Sequence, residues 1–276
     1  MNVVVLTGTD AQHAYVARAL AATGLVTAVV QDRGRPRSQR QRLVSARRRF
    51  GLRGAVARAG VRGALSISGI AGARDRRTMQ ILGPPSLPAS VPVHEVRGVN
   101  AVATQSLLRQ LAPDILCVYG TSIVRDDTLA LAGRIALNLH TGISPYYRGA
   151  DCAFWPLHEG EPHMLGATVH ECTSAVDGGA IFAVRRAVLE AADDVGAVFA
   201  RCVFAGAGCY AEVLQAVVDG TARGVPQDLS QGREYRAAMR DGKAKRHVQH
   251  LLHRGLLTQF VRDGQPEKWS AQTRSQ

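Results

Sequence analysis

The fold class of this protein is decided by its first 32 residues, which are MNVVVLTGTDAQHAYVARALAATGLVTAVVQD. Residues 3–6 are a short valine-rich run that predicts a strand, and small apolar residues recur at helical spacing between positions 14 and 21. Gly24 predicts the end of that helix, and residues 25–30 predict a second strand. A strand, a helix and a strand in this order indicate a β-α-β unit with a parallel sheet.

The same rhythm returns further along the chain. Helical stretches are predicted at 101–111 and, as a long apolar-rich helix, at 195–218. Further strands are predicted from the apolar runs at 91–93, 115–118, 135–140, 166–171 and 180–188. We therefore expect an α/β protein with a Rossmann-like, doubly wound, mostly parallel sheet flanked by helices. The loop after the first strand has no Gly-x-Gly-x-x-Gly, which argues against dinucleotide binding there.

The predicted strand at 135–140 carries a polar pair, Asn138 and His140. The two residues are two positions apart, so both side chains project from one face while Leu137 and Leu139 point to the other. In an open α/β sheet, ligands bind at the carboxyl ends of the strands, which is where this pair lies. The pair taken alone is equally compatible with side chains that satisfy the backbone of the next loop.

Three further motifs follow the pair. Residues 141–149 are TGISPYYRG, residues 166–170 are GATVH, and residues 177–179 are DGG. Together with Asn-x-His, this series resembles the 10-formyltetrahydrofolate-dependent formyltransferases, the family of the methionyl-tRNA, glycinamide ribonucleotide and amino-sugar formyltransferases. The resemblance is good over residues 91–219 and weak over 1–32. It implies the formyltransferase fold and the transfer of a formyl group from 10-formyltetrahydrofolate to an amine.

The resemblance assigns catalysis to Asn138, His140 and Asp177. Attack of an amine on a formyl carbonyl makes a tetrahedral centre with an oxyanion, to which an Asn amide and a protonated imidazole can both donate. A carboxylate close to His140 favours its charged form, and Asp177 is the candidate for that role. The resemblance also implies that Asp177 helps to relay a proton from the amine to the departing folate nitrogen.

The resemblance also implies two sets of binding residues. The folate pocket would lie between the end of one strand and the loop before Asp177, where backbone groups contact the pterin. Its residues are Tyr119, Gly120, Thr121, Ser122, Ile123, Val124, Thr173 and Val176. The acceptor side would be formed by Thr9, Asp10, Gly142, Tyr147, Arg148, Thr168 and His170. For Tyr119 and Ile123 the alternative is ordinary packing, and for His170 it is a structural role.

The sequence departs from the family's pattern at two places. After His140 it has Thr-Gly-Ile-Ser where the family often has Pro-Ser-Leu-Leu, so Gly142 removes a hydroxyl that could contact substrate. Residues 8–10 are Gly-Thr-Asp, which places a carboxylate where the purine branch has a phosphate-holding Gly-Ser-Asn loop. We therefore expect a small-molecule or peptide amine, and not a ribonucleotide, as the acceptor.

The charge of the chain is concentrated in one segment. The formal net charge is +12, yet residues 33–77 contain 14 Arg and one Asp, and the rest of the chain carries 20 basic and 21 acidic residues. We expect a catalytic domain at 1–224 with an arginine-rich surface insertion at 33–90, followed by a basic extension at 225–276. The insertion is either solvated or binds an anionic partner, and nucleic acid is not the expected partner of the protein as a whole.

The cysteines are odd in number and lack any Cys-x-x-Cys pair, so we expect reduced core residues and no metal site. No leader and no run of about 18 apolar residues is visible, so we expect a cytoplasmic protein without a membrane span. The oligomeric state is left open, with a dimer among the alternatives. Two other functions stay open: hydrolysis of 10-formyltetrahydrofolate, and binding of a polyanion without catalysis.

Overall fold

The structure is a computed structural model that describes residues 1–34 and 73–265. Its strands are β1 (Val3–Thr7), β2 (Val26–Asp32), β3 (Val93–Val96), β4 (Ile115–Tyr119), β5 (Ile135–His140), β6 (Tyr147–Gly149), β7 (Gly166–Glu171), β8 (Ile181–Arg186) and β9 (Arg233–Tyr235). Its helices are α1 (Ala11–Ala21), α2 (Ala73–Leu82), α3 (Val102–Leu111), α4 (Asp126–Leu129), α5 (Trp155–His158), α6 (Val195–Val218), α7 (Gly242–His253) and α8 (Leu256–Arg262).

Seven of the strands form one sheet in the order β3-β2-β1-β4-β5-β7-β8. The first five are parallel, and β7 is antiparallel to both β5 and β8. The strand order reverses between β1 and β4, the arrangement that opens a crevice at the carboxyl ends of the strands. This mostly parallel sheet, with helices on both faces, confirms the predicted fold class.

The two faces of the sheet are covered by different helices because successive side chains alternate across each strand. Val3 and Val5 pack with α1, α2 and α6 in the larger core, whereas Val4 and Leu6 pack with α3 in the core of the opposite face. Helix α6 is long and apolar enough to cross a membrane, but 61% of its most apolar window is buried inside the fold. It is thus placed as the core helix of this sheet.

We expected the end of the arginine-rich segment to belong to a surface insertion. Residues 73–82 form α2, which packs against α1 and α6, and Leu82 is only 2% exposed. The guanidinium of Arg18 on α1 donates to the carbonyls of Leu82, Pro84 and Ser86. This helix therefore lies on the same face of the sheet as α1 and α6. Most of the arginines lie outside the described residues, and their role stays a prediction.

The chain after residue 224 packs against the rest of the protein. Strand β9 pairs in parallel with β6 in a separate two-stranded sheet. Val248 on α7 and Leu257 on α8 are buried in a cluster with Trp155 and Leu157. The described part of the basic extension, up to residue 265, is therefore ordered, while the domain boundary at 224 stays a prediction.

Candidate active site

The polar pair lies on β5 as its spacing predicts. Leu137 and Leu139 are buried in the larger core against α6, so Asn138 and His140 project from the opposite face. His140 is the last residue of the strand and is only 7% exposed. The flanking strands β4 and β7 run alongside β5, and each is followed by a loop that borders this face.

Both ring nitrogens of His140 face oxygen acceptors. Nδ1 lies 3.3 Å from Oδ2 of Asp177, and Nε2 lies 2.9 Å from the carbonyl oxygen of Tyr147. A neutral imidazole has one N–H, whereas the charged ring has two. Each ring nitrogen of His140 therefore has an oxygen acceptor within reach.

Asp177 occupies the loop between β7 and β8 and is fixed through both of its carboxylate oxygens. Oδ2 accepts from the backbone N–H of Gly149 at 2.8 Å, and Oδ1 lies 3.5 Å from Nε2 of His170. Burial alone would raise the pKa of Asp177, but the charge of His140, the contact with His170 and the Gly149 N–H hold it well below its ordinary value. Asp177 is therefore a carboxylate at neutral pH.

His170 connects Asp177 to Asn138. Its Nδ1 lies 2.7 Å from the carbonyl of Glu171 and must donate there, and its Nε2 lies 3.5 Å from Oδ1 of Asp177. The Asn138 amide nitrogen is 3.1 Å from that Nε2, across the register that pairs β5 with β7. Asn138, His170, Asp177 and His140 thus form one continuous polar network, and only 2% of His170 is exposed.

Two predicted acceptor-side residues are used in packing, which differs from the expected substrate contacts. The Tyr147 hydroxyl donates to Glu161 at 2.7 Å, and its ring stacks on Tyr235. The Arg148 guanidinium donates to the carbonyls of Pro145 and Leu229, at 3.2 Å each. These contacts hold the loop after His140, and the role of Tyr147 and Arg148 at the acceptor stays a prediction.

Thr168 and Gly142 have the same structural role. Thr168 is fully buried, and its hydroxyl donates to the carbonyl of Gly142 and accepts from the N–H of Ser144. A Cβ at Gly142 would lie 2.4 Å from Nε2 of His140, so the ring leaves no room for a side chain. Packing against His140 therefore explains why this chain has glycine at position 142, where it departs from the family's motif.

The loop after β1 keeps its predicted residues at the surface. Thr9 is exposed, and the side chain of Asp10 is 67% exposed. The backbone N–H of Asp10 donates to Nδ1 of His13 in the first turn of α1. Burial lowers the pKa of His13, and Asp10 opposes this only in part. Thr9 and Asp10 are therefore accessible to an acceptor, and their role stays a prediction.

The predicted folate residues divide between core and surface. Tyr119 and Val124 are buried at 5% exposure each, and the ring of Tyr119 contacts His13 edge to face. Ile123 and Val176 are 75% and 41% exposed on the loops that follow β4 and β7, on either side of β5. Gly120, Ser122 and Thr173 are exposed on the same loops, and Thr121 is half-buried. The role of these residues in folate binding stays a prediction.

The backbone groups that contact His140 and Asp177 were not predicted from the sequence. The Tyr147 carbonyl and the Gly149 N–H contact His140 and Asp177, and no side-chain pattern identifies them. Gln227, in the basic extension, donates to the carbonyls of Asp177 and Gly179. Residues 226–227 are Pro-Gln, and no sequence pattern there predicts a contact with the loop that carries Asp177.

Within residues 1–34 and 73–265 no group of His, Cys, Asp or Glu side chains could hold a metal ion. The cysteines there are free, and burial raises the pKa of Cys117 and Cys202 to about 12. These thiols behave as core residues.

Known proteins share this fold and these motifs. A sequence model of the formyl transferase family matches residues 53–214. A methionyl-tRNA formyltransferase from Lacticaseibacillus casei is 33% identical over 120 residues, which are 43% of this chain and 37% of that protein. The chain thus matches only about a third of the length of this curated relative.

Solved structures show the same fold at low sequence identity. Glycinamide ribonucleotide transformylase 1 from Symbiobacterium toebii has a TM-score of 0.53 at 20% identity, covering 83% of this chain and 94% of that one. A sugar N-formyltransferase from Shewanella sp. has a TM-score of 0.53 at 12% identity, covering 85% and 76%. An N-formyltransferase from Helicobacter canadensis, solved with folinic acid and dTDP-3-aminofucose, has a TM-score of 0.52 at 13% identity, covering 91% and 80%. Because the family match spans more than half of the chain and includes Asn138, His140 and Asp177, this protein belongs to the formyl transferase family, as its motifs predicted.

Proposed function

We propose that this protein transfers a formyl group from 10-formyltetrahydrofolate to the amine of a small-molecule or peptide acceptor. The observation that carries the proposal is the position of the Asp177 carboxylate, 3.3 Å from His140 and 3.5 Å from His170, with Asn138 at the far end of the same network. Membership of the formyl transferase family supports the reaction class. The similar proteins named above all move a formyl group, but to different acceptors.

The loops beside β5 support a folate donor. Backbone groups of residues 119–124 and 172–177 and the exposed side chains of Ile123 and Val176 would hold the pterin. Apolar surface beside a few polar groups is the usual character of such ligand sites. The donor then supplies the formyl carbon to the face that carries Asn138 and His140.

The network fits the charges that develop when an amine attacks the formyl carbon. Asn138 has two amide N–H groups, so it can donate one to His170 and the other to the developing oxyanion. His140 adds a positive charge, held by Asp177 and by the Tyr147 carbonyl. Asp177 helps to relay the proton lost by the attacking amine, by way of a water, to the folate nitrogen as the old carbon–nitrogen bond breaks.

We place the candidate acceptor site next to Thr141, the residue that follows His140. A cavity of about 110 Å³ opens beside Thr141 and is lined by Asp151, Phe154, Phe199 and Arg240, among others. An amine on a small polar molecule is compatible with this lining of aromatic rings and an ion pair. Amino-sugar nucleotides are the first acceptors to test, because several proteins with this fold are sugar N-formyltransferases.

The test is an assay with purified protein, 10-formyltetrahydrofolate and a panel of amines, following release of tetrahydrofolate and gain of the formyl mass. We expect Asn138→Ala and His140→Ala to lower the rate about a hundred- to a thousand-fold. The exposed His163 supplies the matched control, His163→Ala, which keeps full activity. Turnover without an acceptor would favour a hydrolase instead, and a folate that neither binds nor reacts would overturn the proposal.

A further inference from the structure

The segment that follows α6 connects both sides of the polar network. Residues 225–235, called the return segment here, begin with two 2.8 Å backbone hydrogen bonds between Val225 and Ile181, at the start of β8. They end as β9, which pairs with β6. The loop before β8 carries Asp177, and β6 supplies the Tyr147 carbonyl and the Gly149 N–H. The family match ends at residue 214, so it does not include this segment.

Gln227 is the side chain of the return segment that contacts the Asp177 loop. Its Nε2 donates to the carbonyl of Asp177 at 2.9 Å and to that of Gly179 at 2.5 Å. Two carbonyl acceptors define the orientation of the amide, because the opposite orientation would place three oxygens together. Its Oε1 is buried and has no hydrogen-bond partner among the described residues. A buried unpaired oxygen has an energetic cost, so packing alone does not explain a glutamine here.

The Asp177 loop has a backbone that needs such support. Asp177 has φ of 47°, in the left-handed region that residues with a side chain rarely adopt. A Cβ at Gly179 would lie 2.0 Å from the Glu171 carbonyl, so the chain passes close to β7 there. Gln227 bonds the carbonyls on both sides of this strained turn, which directs the Asp177 carboxylate toward the two histidines.

The return segment also fixes the opposite side of the network. The Leu229 carbonyl accepts from Arg148, next to the Tyr147 carbonyl that binds His140. A Cβ at Gly232 would lie 1.8 Å from the Pro145 carbonyl, so the two backbones touch. The same short segment thereby sets the separation between the partners of His140 and those of Asp177.

We propose that Gln227 is a positioning residue for formyl transfer, which acts by holding the Asp177 loop in place. The contact made by Gln227 then joins the start of the return segment to the Asp177 loop, so this part of the chain is not a separate extension after residue 224. This inference rests on the proposed function, because its rate effects presuppose that function. A structural measurement separates the two.

The rate experiment compares Gln227→Ala with Gln231→Ala. Gln231 belongs to the same segment, and its amide donates to Asp228, away from the loop. We expect Gln227→Ala to lower kcat at saturating folate about 10- to 100-fold, since a misplacement of about 1 Å can cost that much, and to raise the KM for folate, because residues 172–177 are proposed to hold the pterin. In Gln231→Ala both parameters stay at the wild-type values.

A double-mutant cycle with Asp177→Asn distinguishes positioning from a general structural role. If Gln227 acts through Asp177, Gln227→Ala costs little further rate once the carboxylate is gone, whereas a structural effect adds in full. Amide hydrogen exchange of residues 172–180 in the ligand-free protein gives a second measurement. We expect faster exchange there in Gln227→Ala than in wild type or in Gln231→Ala.

The measurements distinguish a failure of the positioning role from a failure of the proposed function. Exchange that is faster only in Gln227→Ala, in a protein that shows no formyl transfer, supports the hold on the loop and overturns the proposed function. Wild-type kcat in Gln227→Ala, an additive loss in the double variant, or unchanged exchange at 172–180 would each overturn the positioning role.

Discussion

Replacing Asp177 by Asn removes one charge from the centre of the network and leaves its shape. The Asn side chain can still accept from the Gly149 N–H, which Asp177 binds at 2.8 Å. The negative charge 3.3 Å from His140 is lost. At an effective dielectric constant of about 20, that attraction is at most about 5 kcal/mol. The His140 charge then has only the Tyr147 carbonyl to stabilise it.

The rate effect follows from the same numbers. Loss of the proton relay lowers the rate about a hundred- to ten-thousand-fold. This corresponds to about 3–5 kcal/mol of transition-state stabilisation, which is no larger than the attraction between Asp177 and His140 given above. The assay is kcat at saturating 10-formyltetrahydrofolate and acceptor. Asp263→Asn is the control, because Asp263 is 56% exposed on the last turn of the described chain. A variant Asp177→Asn with more than about a tenth of the wild-type kcat would refute the assigned role.

The free energy of unfolding of wild type should depend on pH more strongly than that of Asp177→Asn. The pKa of Asp177 is lower in the folded protein than in the unfolded chain, where it is about 3.9. Its contribution to the free energy of unfolding is therefore complete above about pH 4 and is lost as the pH falls below that value. Denaturant titrations should show the difference between wild type and Asp177→Asn narrowing below about pH 4. A constant difference from pH 6 to pH 3 would contradict the assignment.

Three further outcomes are expected. Tyr147→Phe removes the bond to Glu161 and should lower the free energy of unfolding by about 1–2 kcal/mol with kcat nearly unchanged, whereas a large rise in the acceptor KM would indicate a substrate contact. Gly142→Ala places a Cβ 2.4 Å from His140 Nε2, so kcat should fall at least about tenfold, and full activity would show that the ring can move. Native Cys202 should resist iodoacetamide at pH 8, because burial raises its pKa to about 12, and rapid labelling would contradict its burial.

The fold could be predicted from local patterns because these patterns are repeated and consistent. Apolar runs alternating with helical periodicity specify parallel strands with crossovers, and the observed sheet has them in a doubly wound order. The arginine-rich composition predicted a surface insertion at 33–90, and residues 35–72 of it lie outside the described part of the chain. Helix α2 is polar overall, and only its contact with α1 and α6 explains why it is ordered.

The site was predicted unevenly. Asn138 and His140 could be placed on one face because a strand fixes the direction of each side chain. Tyr147, Arg148 and Thr168 were expected near the acceptor, yet their polar atoms bind other parts of the protein. A motif gives the position of a residue along the chain but not the partner that its side chain meets.

The sequence by itself determined the α/β class, the polar pair on β5 and the family motifs, because each depends on residues close together in the chain. Only the tertiary structure decided that Asp177 lies between His140 and His170 and that Gln227 holds its loop, since Gln227 is 50 residues away in sequence. Contacts over such distances result from the packing of α6 and the return segment against the sheet. Their geometry is set by the whole fold, and no local pattern contains it.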